Sequence, residues 1–117
     1  MDLMFASPLE RAWRTAVILN EEVGWPEPVA WSQLEPDHSP QQVVLALTPH
    51  ASVTSVALVG HEPGLSELAS YLLAGSGGAV DLEMKKGGAA LLSIDGTPQA
   101  GSALLRWLLT PKVLRSL

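Results

Sequence analysis

Two short stretches of this chain carry side chains suited to gripping an anion. "SPLERAWRTA", residues 7–16, puts Arg11 in what reads as the first turn of a helix, and "LVGHEPG", residues 58–64, puts His61 directly after the strongest β-type run. A guanidinium offers a planar fork of donors that matches phosphate oxygens, while imidazole can donate a hydrogen bond or act as an acid or base near neutral pH. Helix N-termini add free N–H groups and partial positive charge. In open α/β sheets ligands gather beyond the carboxyl ends of strands, where strands hand over to helices. If the two strands are near neighbours, Arg11 and His61 face one pocket, and phosphate is its natural occupant. Each residue also has a plainer reading, Arg11 as a solvated helix arginine and His61 as a loop histidine satisfied by backbone partners.

Other polar residues take supporting places. Ser7 reads as a helix cap, Glu62 as a group that either orients His61 or faces water, and Lys85 as part of an anion site or of a solvated turn with Lys86. Arg14 reads as solvated. His38 and His50 lie in Pro-rich loop segments at no metal-ligand spacing and read as surface residues. With no cysteine and no H-E-x-x-H, no zinc site and no thiolate chemistry are expected. The four tryptophans read as core and rim.

The elements that must position these groups follow from caps and periodicity. Leu3 to Ala6 has the composition of a buried strand's tail. Ser7-Pro8-Leu9-Glu10 has the form of a capping box with Pro at the first helical position, and Leu9, Ala12, Trp13, Ala16, Leu19 and Val23 recur at helical spacing, so a helix is expected from Pro8 to Val23, stopped by Gly24. Val29 to Trp31 suits a short strand. Ser39-Pro40-Gln41-Gln42 repeats the capping logic and starts a helix that ends near Thr48. Val53 to Val59 is rich in β-branched residues and predicts a strand; Gly64 to Ala74 predicts a helix capped by Gly75. Val80–Met84, Ala89–Ile94 and Ser102–Leu109 read as strands, the last two as a hairpin around Asp95-Gly96. Strands alternating with helices, then an antiparallel portion, indicate an α/β fold.

Composition narrows the function. The chain has 117 residues, 47% of them hydrophobic, which suits one small domain with a real core. Twelve acidic residues against seven basic ones leave a net charge of −5, with no basic cluster, so neither nucleic acid nor an anionic membrane is an expected partner. No apolar run reaches the roughly 18 residues of a membrane span, and the first residues lack the charge and apolar core of a secretion signal. A soluble, cytoplasmic protein is expected.

Four stretches then acquire meaning together: "SPLERAWRTAVIL", "LVGHEPGLSELASYLL", "MKKGGAALL" and "LLTPKVL". In order and spacing the chain resembles the histidine phosphatase superfamily, and within it the small SixA-like phosphohistidine phosphatases, over nearly its whole length. The resemblance implies a phosphoglycerate mutase-like, three-layer α/β/α fold with a mostly parallel sheet and an antiparallel C-terminal portion, in a single domain over residues 1–117. It implies phosphoryl transfer to an active-site histidine and then to water, without metal or cofactor, from a phosphohistidine-bearing protein or a small phosphomonoester. The S-P-L-x-R-A motif places one of the family's two pocket arginines at Arg11, and the G-H motif places its second histidine at His61. The other arginine and the nucleophilic histidine belong to an R-H-G motif at the end of the first strand, and this sequence contains no R-H-G.

The expectation is therefore a histidine phosphatase-like domain lacking its N-terminal strand and helix, through a misplaced start or a truncated gene, and catalytically deficient as it stands. By resemblance the lost strand is central, which leaves neighbouring strands with unpaired backbone groups. The alternative is a non-catalytic phosphate- or phosphoprotein-binding module, or one that self-associates through an exposed sheet edge. A third is an unrelated α/β domain, favoured if Arg11 and His61 lie far apart.

Overall fold

The computed structural model describes residues 1–78, 89–94 and 97–109, which fall into two compact units divided between His61 and Glu62. In the first unit, β1 (Leu3–Ala6), β2 (Val29–Ala30) and β3 (Val56–Val59) form a parallel sheet in the order β2-β1-β3. Parallel neighbours need crossovers, and α1 (Glu10–Ile18) and α2 (Pro40–Leu47) supply them. The register pairs Leu3 with Val56 and Ala6 with Val59, so β1 and β3 end level with each other.

Strand β1 is buried on both faces, as a central parallel strand must be. Met4 and Ala6 point one way, where with Ala57 and Ala16 of α1 they form a core rimmed by Trp13, Leu19, Trp25 and Val59. Phe5 points the other way, stacked on Trp31 with ring centroids 3.7 Å apart and tilted against His50 at 5.1 Å. His50 ends the 3₁₀ turn that follows α2, so helical segments cover both faces of the sheet. The expectation of a surface His50 is thus corrected: the ring is half-buried because it closes an aromatic cluster over Phe5.

Local chemistry explains most boundaries and corrects some. Helix α2 has the expected capping box, with the Gln42 N–H donating to Ser39 Oγ and the Ser39 N–H to Gln42 Oε1 at 2.8 Å. The box expected at Ser7 does not form. The Ser7 N–H donates instead to the Val59 carbonyl at 2.9 Å, which keeps Ser7 in the sheet, and the Glu10 carboxylate pairs with Arg14 at 2.7 Å. Helix α1 therefore begins at Glu10 rather than Pro8, and after Ile18 it widens into a π-helical turn, Leu19–Val23, before Gly24 stops it at φ +80°. Strand β3 begins at Val56 rather than Val53, because its ladder partner β1 has four residues and because the Asp2 carboxylate takes the N–H groups of Thr54 and Ser55, both at 3.0 Å.

In the second unit α3 (Gly64–Ala74) has the expected bounds, with Gly75 at φ +84° and its N–H donating to the Tyr71 carbonyl. Strands β4 (Ala89–Ile94) and β5 (Ala103–Leu109) form the antiparallel hairpin, with a register irregularity between Leu91 and Leu92, and α3 packs against β5. The expected strand at Val80–Met84, the Asp95-Gly96 turn and Lys85 lie outside the described residues.

Candidate functional site

The carboxyl ends of β1 and β3 lie side by side, and each hands over to a segment carrying one of the anticipated side chains. Hydrogen bonds hold the end of β1 from both neighbours: the Trp31 N–H donates to the Ala6 carbonyl at 2.8 Å and the Ser7 N–H to the Val59 carbonyl at 2.9 Å. Two residues beyond Val59 stands His61, so the paired strands set the imidazole and the Ser7 hydroxyl on a common platform. His61 Nε2 lies 2.9 Å from Ser7 Oγ, which also accepts the Leu9 N–H at 3.2 Å. Ser7 is fully buried, while His61 is half-exposed.

Arg11 is the second residue of α1, the helix that leaves the end of β1. Its side chain is exposed, and among the described residues its guanidinium has neither an ion pair nor a hydrogen bond. Arg14, also exposed, is bound to Glu10. The condition on which a shared pocket depended, that the two strands be neighbours, is met by the direct β1–β3 pairing.

The supporting residues divide. Ser7 is not the cap it was expected to be, since Leu9 stands at the N-cap of α1 and the Ser7 hydroxyl instead reaches His61 across 54 positions of sequence. Sequence reasoning missed that bond; the available signal was that Ser7 and His61 each stand just past a strand, with strand neighbourhood undecided. The carboxylate of Glu62 accepts the Ser66 hydroxyl, and its Oε1 is buried without a hydrogen-bond partner among the described residues. His38 is exposed, as expected of a loop histidine. Among the described residues no three His, Cys, Asp or Glu side chains gather as metal ligands would, and no helix is long and apolar enough to cross a membrane.

Chemically, the two handovers at this end of the sheet carry a guanidinium unpaired among the described residues, an imidazole with a hydroxyl partner and the start of α1. That set can neutralise and orient a tetrahedral oxyanion. A solved structure with this architecture is that of the protein histidine phosphatase SixA complexed with tungstate: it matches 97% of this chain and 71% of its own at a TM-score of 0.84, with 20% sequence identity. The chain has the SixA fold. Neither a scan of protein-family models nor a search of curated proteins finds a match. At 20% identity the shared property is the SixA architecture, including an α/β organisation with a mainly parallel sheet.

Proposed function

We propose that this chain is a phosphohistidine phosphatase-type domain over residues 1–117, in which Arg11 and His61 bind the phosphoryl group of a phosphohistidine-bearing protein or a small phosphomonoester. One observation carries the reading: the in-register pairing of β1 and β3, closed by the Ser7–His61 contact, brings both handovers to one end of the sheet. The SixA structure is complexed with tungstate, a tetrahedral oxyanion, and this chain shares its fold. Arg11 and His61 would stabilise charge on the phosphoryl oxygens, a task of positioning and electrostatics.

Hydrolysis through a phosphoenzyme needs an attacking imidazole, and the sequence has no R-H-G to supply one. His38 and His50 are not substitutes: one is an exposed loop residue, the other is packed into the aromatic cluster around Phe5. The 117-residue polypeptide is accordingly an oxyanion binder of low or no turnover. Assays on p-nitrophenyl phosphate and on a phosphohistidine protein test this, and turnover that His61→Ala abolishes would overturn the deficiency.

A purely binding module is favoured by the Arg11 guanidinium, unpaired among the described residues of a chain of net charge −5. Calorimetry with tungstate and with a non-hydrolysable phosphohistidine peptide, beside the turnover assays, separates the readings: affinity for the peptide with no hydrolysis of the phosphohistidine protein supports the module, and residual hydrolysis supports the phosphatase-type reading.

A further inference from the structure

The Ser7–His61 contact has the length of a nucleophile–base pair, but it cannot serve as one. Ser7 has 0% exposure, so no substrate reaches its hydroxyl. The bond has a different consequence, which follows from counting protons. A serine hydroxyl has one hydrogen to give and two lone pairs to receive with. One lone pair of Ser7 is taken by the Leu9 N–H at 3.2 Å; the other partner of the hydroxyl is His61 Nε2 at 2.9 Å. Burial denies it water.

A neutral imidazole carries its proton on one nitrogen only. If that were Nε2, it would donate to Ser7, which would then accept twice while its own hydrogen pointed at no acceptor among the described residues, in a buried site. A buried donor left unpaired is what folded proteins avoid. If the proton sits on Nδ1, Nε2 accepts the Ser7 hydrogen and every group at the contact is satisfied. Among the described residues Nδ1 makes no hydrogen bond, and the ring is half-exposed.

We propose that Ser7 is a positioning residue that holds neutral His61 as the Nδ1–H tautomer, making Nδ1 the ring atom that donates to a bound oxyanion. The donor role rests on the phosphate-binding reading above; the tautomer does not. Ser7 thereby joins the start of the β1–α1 handover to the chemistry of the β3 handover, and the hydroxyl selects which ring nitrogen of the imidazole carries the hydrogen.

The test is long-range proton–nitrogen correlation spectroscopy of the 15N-labelled chain at about pH 8.5, where ordinary histidine is neutral. His61 is expected to show a protonated Nδ1 and a bare Nε2, with exposed His38 as the control for an unconstrained ring. Ser7→Ala is expected to bring the His61 pattern to that of His38, and Ser7→Thr, which keeps the hydroxyl, to retain the bias. A protonated Nε2 in the unmodified chain, or a pattern unmoved by Ser7→Ala, overturns the proposal without any variant having to bind ligand. Tungstate titration supplies the second arm, with roughly tenfold weaker binding expected for Ser7→Ala. An unmodified chain that shows the Nδ1–H form yet ignores tungstate removes the phosphate reading and the donor role while the tautomer assignment stands.

Discussion

Arg11 and Arg14 stand three positions apart on one helix, both exposed, and differ in what they are bound to. Arg14 is bound to Glu10 at i−4, whereas Arg11 keeps its guanidinium unpaired among the described residues. An exposed i,i+4 pair contributes about 0.3–0.5 kcal/mol, so Glu10→Ala is expected to move the urea midpoint only slightly. Arg11→Ala is expected to leave stability unchanged while weakening tungstate binding about ten- to a hundredfold, the range of a lost charge-assisted hydrogen bond; isothermal calorimetry and circular dichroism read the two effects separately. A similar loss is expected for His61→Ala. Which arginine was the candidate could be read from sequence, because Arg11 falls in the first helical turn after a strand. That Arg14 is bound and Arg11 is not depended on where the Glu10 carboxylate went: with the Ser7 N–H already donated to Val59, no capping box could hold Glu10 back.

Elements with purely local signals match the sequence reading closely. The Ser39–Gln42 box works within four residues, and Ser39→Ala is expected to destabilise the chain by about 1 kcal/mol in urea denaturation, since it removes a partner from the exposed start of α2. Gly75 ends α3 at φ +84° with open space where a Cβ would stand, so Gly75→Ala meets no clash and is expected to cost about 1 kcal/mol from the backbone alone. Elements whose ends are set by distant partners were read less well. The run from Val53 to Val59 has β-type composition throughout, yet its ladder covers Val56–Val59, because β1 is four residues long and Asp2 claims the preceding N–H groups. The start of α1 shifted for the same reason: a sheet hydrogen bond to Ser7 outcompeted a local cap.

For the molecule as a whole, burial and catalysis make separate demands. One buried cluster of the first unit is built on Met4, Ala6, Ala16 and Ala57, and Met4 is 1% exposed. Met4→Ala is therefore expected to cost about 2–5 kcal/mol, a large share of the stability of a chain this size, read as a lowered denaturation midpoint with loss of the near-ultraviolet signal. Catalysis demands a nucleophile, and on the proposed reading the expected outcome for the 117-residue chain is oxyanion binding with low or no phosphohistidine turnover. Sequence alone determined the alternation of strands and helices, the capping of α2 and α3, the two residues worth testing and the absence of R-H-G, because these depend on residue type and short-range spacing. Tertiary structure decided that β1 and β3 are neighbours, that His50 is packed rather than solvated, and that Ser7 serves His61 as well as the start of α1. Those facts turn on hydrogen bonds and ring contacts between residues some 45 to 55 positions apart, and no local pattern specifies which distant strand a backbone donor will find.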